Sequence, residues 1–221
     1  MALTKFNYNS FDVTPVASST LAFNSGANGL TAMSPGAMTL IKTVTASDDS
    51  TISFVNGASD VVLDSTYPIY IVKVISANIA TDNQDLVINF SDDTSSHAYN
   101  LTKTDTYFAG LHTEADNDAG LQYETGEDIA QGTGFTVVTK EQANDADAGA
   151  CSTIWLFNPS STTFVKHYMM RSNWFQHNDY AQDAFKGGYI NTTAAVTAIQ
   201  FKSTSGNIDS GTFKLYGIRD S

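Results

Sequence analysis

Short apolar runs alternate with polar clusters along almost the whole chain. Val, Ile, Thr, Tyr and Phe dominate the runs, and Asp, Asn, Gly and Ser the breaks, which is the pattern of β-strands closed by turns. Strands are predicted at 38–45, 51–56, 68–77, 85–91, 97–103, 134–140, 151–157, 164–174, 187–191, 195–202 and 211–218. The breaks, among them Asn56-Gly57, Asp82-Asn83 and Asn158-Pro159, hold residues that tolerate left-handed backbone or bond their own main chain. No stretch keeps a capped 3.6-residue apolar period, although 105–111 has room for one helical turn.

The pattern also predicts burial. Residues 68–76 are apolar at nearly every position, as in a central strand covered on both sides. Residues 198–202 and 213–216 alternate, so that one face of each meets a core and the other meets water or a partner. Many short strands without intervening helices indicate two packed antiparallel sheets. The long connections at 104–133 and 140–150 favour a jelly roll. The expected fold is therefore an all-β, two-sheet antiparallel sandwich of jelly-roll kind over 37–221, preceded by an extended N-terminal arm at 1–36. That arm reads as strandless. Its Phe6, Tyr8, Phe11 and Phe23 are either part of a loose terminus or anchors that dock on a neighbour.

Charge narrows the partners. There are 23 acidic and 11 basic residues, a net charge of −12, and the lysines stand singly. A polyanion would be repelled, so nucleic acid is not an expected partner. No run is long and apolar enough for a membrane span, and the start lacks the pattern of a signal peptide, so synthesis in a cytosol without membrane insertion is expected. Cys151 is the single cysteine. It opens a strand and reads as a small buried residue, with no internal disulfide to form.

Candidate chemistry is sparse. His97, His112, His167 and His177 form no metal-ligand spacing. No nucleophile elbow is present, and the glycines at 132 and 134 precede a strand, so they cradle no phosphate. Acidic clusters at Glu114, Asp116 and Asp118, at Glu124, Glu127 and Asp128, and at Glu141, Asp145 and Asp147 lack the apolar setting of a glycosidase pair and read as solvated loops. The 114–120 and 144–149 segments partly resemble calcium loops, against a default of plain turns. No catalytic residue, cofactor or metal ligand is assigned. The aromatics Tyr168, Trp174, Phe175, Tyr180, Phe185 and Tyr189 gather with Arg171 in one segment. Trp174, Phe175 and Tyr180, with 174–178 read as a loop, are the candidate protein interface or sugar-stacking platform.

Six blocks carry a family resemblance: residues 38–47, 52–57, 66–70, 156–167, 188–193 and 205–218. The last, a Ser-Gly-Asn turn followed by a strand ending Leu-Tyr-Gly-Ile, is the most specific. In this order they resemble the recurrent blocks of virion structural proteins from tailed, largely marine bacteriophages. The resemblance leaves out 1–36. It implies a jelly-roll particle protein without catalysis, located in the virion after assembly in the host cytoplasm. Its expected partners are copies of itself, with a trimer one such assembly, and the major capsid protein or other virion proteins. Two roles follow, a capsid decoration or cement protein and a tail-borne module recognising a receptor or glycan.

Overall fold

β-Branched and aromatic residues at alternating positions fold into strands whose length is set by the turn clusters. The structure, a computed structural model, describes residues 20–23, 26, 30–33 and 36–220. The chain divides into two units, Met1–Thr39 and Leu40–Ser221. In the first, β1 (Thr20–Phe23) and β2 (Leu30–Met33) pair as an antiparallel hairpin. The strandless arm is thereby corrected: Thr20–Phe23 and Leu30–Met33 are short strands.

The second unit, whose first strand begins two residues ahead of Leu40, is all-β and antiparallel, with no helix among the described residues. Its strands are β3 (Met38–Asp49), β4 (Ile52–Val55), β5 (Ile69–Ile79), β6 (Gln84–Ser91), β7 (Lys103–Thr113), β8 (Ala119–Tyr123), β9 (Ile129–Gly132), β10 (Thr136–Gln142), β11 (Ala150–Phe157), β12 (Lys166–Gln176), β13 (Tyr180–Ile190), β14 (Ala198–Ser203) and β15 (Ile208–Ile218). They form one 13-stranded network whose main path runs β3-β15-β5-β11-β12-β10-β6-β14-β4. From β12 a branch continues through β13 to β7, which also pairs with β8 and β9. The first and last strands of the path are consecutive in the chain, separated by Ser50 and Thr51 alone, so the network nearly closes on itself as a barrel does.

One weak link divides this network. β10 meets β12 at a single pair, Gln142 with Gln176. Residues from both sides of that link nevertheless share one core. Val72, Ile154, Tyr168 and Phe213 come from one side, and Phe54, Leu86, Ile88, Phe90 and Phe201 from the other. A second cluster holds Val87, Tyr107, Val137, Ala150, Trp174 and Ala184.

The strand covered on both faces is β6, not β5. Leu86, Ile88 and Phe90 point into the first cluster and Val87 into the second. In β5, Tyr70, Val72 and Val74 are buried, whereas Ile69, Ile71 and Lys73 are half-buried and Ile75 is exposed. The near-continuous apolar run at 68–76 thus marks a strand with one core face and one apolar outward face. The segment 105–111, with its expected helical turn, lies within β7, and the supposed long connection at 104–133 holds most of β7 with β8 and β9. The β-branched and aromatic residues Thr104, Thr106, Tyr107 and Phe108 favour that strand.

Candidate interaction face

β12 shows how local sequence builds the candidate site. Lys166, Tyr168, Met170, Ser172, Trp174 and Gln176 are buried, while His167, Met169, Arg171 and Asn173 are exposed and Phe175 half-exposed. Cross-strand register then carries the outward positions over the neighbouring strands, because directly opposed residues lie on the same face. One row runs Lys214, Lys73, Thr153, Arg171, Phe185, Phe108, Tyr123 across β15, β5, β11, β12, β13, β7 and β8. A parallel row runs Tyr216, Ile71, Trp155, Met169, Gly187, Thr106. A third runs Cys151, Asn173, Asp183, Gly110, Leu121.

These rows form an apolar and aromatic surface with cations at one end. Met169 is 55% exposed, Phe108 39%, Phe185 38% and Tyr123 50%. Phe108 and Phe185 stack at 5.3 Å with planes 10° apart, and the Arg171 guanidinium lies 4.8 Å from the Phe185 ring centre. Asp183 holds Arg171 there with a 2.8 Å contact. Beside them, Lys73, Cys151, Thr153, Trp155, Arg171 and Asn173 line an open groove of about 630 Å³. The cations of the three rows are Lys73, Lys214 and Arg171, and their acid is Asp183. In a chain of net charge −12 this face is therefore poor in carboxylates.

The inward side of the same strands is charged. Asp105 on β7 accepts hydrogen bonds from Thr136 Oγ1 (2.7 Å), from Tyr168 OH and from the Ile129 amide (3.0 Å). Lys186 Nζ lies 3.4 Å from Asp105 and donates to Thr136 Oγ1 and to the Glu127 carbonyl, both at 2.7 Å. Lys103 Nζ donates to Asn89 Oδ1 at 2.7 Å and to the Leu101 carbonyl at 2.8 Å. Burial depresses both amines, Lys103 to about 8, against the pull of Asp105. Burial, reinforced by Asp105, pushes the Tyr168 phenol upward. Gly188 permits this packing, since a Cβ there would lie 2.4 Å from the Thr104 carbonyl and 2.5 Å from Asp105 Cβ. The cluster fastens the 127–136 segment to β7 and β13, a task in which these polar groups are already engaged with one another.

The structure redistributes the residues singled out from sequence. Trp174 is in a strand, not a loop; it is 2% exposed and its indole N–H donates to the Lys140 carbonyl at 2.7 Å, so it belongs to the core. The turn is only His177, Asn178 and Asp179, closed by an Asp179 amide bond to Gln176 O and by a positive φ of 61° at Asp179. Phe175 is half-exposed on the outward side of β12, and Tyr180 donates its hydroxyl to Asp118 at 3.0 Å. Phe6, Tyr8 and Phe11 lie outside the described residues, and Phe23 lies on β1. Cys151 is exposed on the groove, not buried, because it takes the outward phase of β11, leaving Ala150 and Ser152 to point inward.

The acidic loops diverge. Asp116 meets His112 at 3.1 Å, Asp118 meets Tyr180, and Asp128 accepts from Tyr123 OH at 2.7 Å. Among the described residues no group of three His, Cys, Asp or Glu side chains is placed to hold a metal ion. Glu127 is not simply solvated, however. Burial raises its pKa and that of Asp85, and Lys140 bridges Glu124 (3.1 Å) and Glu127 (3.5 Å).

Sequence reading passed over Trp155, Met169, Phe108 and Ile71. The available signal was the alternation of β12 combined with the apolar second face of β5.

No family model matches the chain, and no curated protein matches it. Among solved structures, the crystal structure of the infectious bursal disease virus VP2 subviral particle aligns at 11% identity and a TM-score of 0.13, over 92% of this chain and 47% of that one. The chain thus spans about half the length of that subunit, and at this TM-score the likeness carries no structural argument.

Proposed function

We propose that this chain is a bacteriophage virion structural protein, a decoration or cement protein that stabilises the shell through contacts of an oligomeric β-sandwich of jelly-roll kind. The observation that carries the reading is the outward face of β5, β11, β12, β13 and β7. A large exposed apolar patch on an otherwise polar protein marks a place where another macromolecule sits. One core drawing side chains from both sides of the β10–β12 link supports two packed layers. Weak contacts repeated over many copies suffice for such a role through avidity. Its partners are further copies, the major capsid protein or other virion proteins. Gel densitometry of purified particles tests it: hundreds of copies per particle are expected, and none would overturn it.

A tail-borne receptor- or glycan-binding module is the second reading. It no longer draws on Trp174. The exposed Phe108–Phe185 stack beside the Arg171–Asp183 pair favours it, since aromatic faces flanked by paired polar groups suit a sugar ring. A few dozen copies per particle, with glycan binding lost in Phe185→Ala, is the outcome that would select it.

A further inference from the structure

The geometry points to a second copy of this chain as the occupant of the outward face, in an isologous pair whose twofold axis runs along the strands between β11 and β12. The inference rests on the reading of the chain as an assembly protein and replaces the trimer with a twofold pair.

Three observations carry it. First, charge selects the occupant. Copies of net charge −12 repel one another, and the repulsion is reduced on a face whose cations, Lys73, Lys214 and Arg171, outnumber its carboxylates, Asp183 and the Asp128 bonded to Tyr123. Second, the two ends of the central row differ in kind. Lys214 and Lys73 stand at one end, and Phe185, Phe108 and Tyr123 at the other. A face-to-face pair has its twofold in the interface plane. With the axis along the strands, each row meets its mate reversed, so Lys73 faces the mate's Phe185 and Lys214 the mate's Phe108. Ammonium groups then lie over aromatic rings, a favourable contact that strengthens as water leaves. With the axis along the rows, Lys73 would face Lys73 and the contact would be repulsive. Third, the size fits. Strands ~5 Å apart and same-face residues ~7 Å apart give the three rows and their flanks an area on the order of 800 Å². That is the half-interface of a stable complex.

The single cysteine provides a test without substitution. Cys151 is exposed on β11 beside the proposed axis, so it faces the mate's Asn173, and its own copy lies diagonally across a sheet-to-sheet gap of roughly 10 Å, one strand spacing to the side. A short bismaleimide added to the full-length chain should yield a covalent pair, and light scattering should give twice the monomer mass. A monomer at tens of micromolar, or a trimer, overturns the inference.

A charge exchange tests the direction of the axis. Lys73→Glu and Phe185→Lys should each weaken pairing at least tenfold, and circular dichroism confirms that both remain folded. The double variant should recover most of the loss, because the carboxylate introduced at position 73 would then meet the ammonium introduced at position 185 of the mate, twice per pair. If the singles weaken pairing and the double weakens it further, the axis lies along the rows and the assignment fails. Particle binding is scored separately. A chain that decorates particles yet never cross-links refutes the pair alone, whereas a chain that pairs but is absent from particles refutes the virion reading.

Discussion

The two faces of the β5-β11-β12-β13-β7 surface invert the usual division of residues. Its inner side at β7 and β13 holds Lys103, Asp105 and Lys186, while its outer side carries Phe108, Met169 and Phe185. Buried charge is costly unless every group finds a partner; Asp105 and Lys186 find theirs largely in the 127–136 segment that must be fastened down, and Lys103 finds its own in Asn89 and the Leu101 carbonyl. Exposed aromatics are costly in another way, because they are left in water until something covers them. Polarity along these strands therefore records what each face must hold: the inner face grips its own chain, and the outer face is left for another.

The largest expected effect comes from cutting the inner grip. Asp105→Ala removes the counter-charge of Lys186 and the acceptor of Tyr168, Thr136 and the Ile129 amide. A loss on the order of 3–5 kcal/mol is expected, read as a lower denaturant midpoint. A loss under about 1 kcal/mol would mean that the cluster is not a fastening.

The chain's two tryptophans set the faces against each other directly. Trp174→Ala removes a core side chain together with its bond to Lys140 O and should cost about 3 kcal/mol. Trp155→Ala, on the half-exposed outer side of β11, should cost less than about 1 kcal/mol in the unpaired chain. In fluorescence, iodide should quench Trp155 in preference to Trp174, and equal quenching would contradict the assignment of faces.

Much of this was legible in the sequence, for reasons particular residues make plain. Alternation in 198–202 and 213–216 locates β14 and β15 because polar or half-buried Gln200, Lys202, Lys214 and Tyr216 alternate with the buried Ile199, Phe201, Phe213 and Leu215. The same rule failed at 68–76, where apolar residues on both sides of β5 reflect a core on one side and a bare surface on the other. It failed again at 104–133, where Gly and Thr look like loop but pair against β13. The buried cluster was invisible, since Lys103, Asp105, Thr136 and Lys186 are brought together only by the pairing of β7 with β13 and the packing of β10. Trp174 was misplaced because a three-residue turn is short enough to leave the strand running through position 176.

The amines of the inner face predict an unusual pH dependence. Burial lowers the proton affinity of Lys103 in the folded chain to about 8 and depresses Lys186 in the same direction. Between about pH 8 and the ordinary lysine range the unfolded chain therefore binds more protons than the folded one. Stability must then rise with pH, by on the order of 1–2 kcal/mol up to about pH 10. Above that, ionisation of tyrosines in the unfolded chain opposes the rise, because Tyr107 and Tyr168 are held protonated in the fold. Lys103→Met should flatten the slope, and an unchanged slope would assign it to other groups.

The smallest expected effect is the sharpest test of the outer face. Met169 is 55% exposed, and register places it between Trp155 and Gly187, where no side chain of β13 covers it. Met169→Gln at high dilution should therefore change folding stability by no more than about 0.5 kcal/mol, as at other surface positions. At concentrations where copies pair, the same substitution buries an amide that finds no acceptor, so apparent stability should fall behind that of the parent as concentration rises. A structural role for the outer face within one chain predicts the opposite, a loss already present at dilution and independent of concentration. The difference between the two denaturation midpoints, measured across a roughly hundredfold range of protein concentration, separates a surface waiting for a partner from one that serves its own fold.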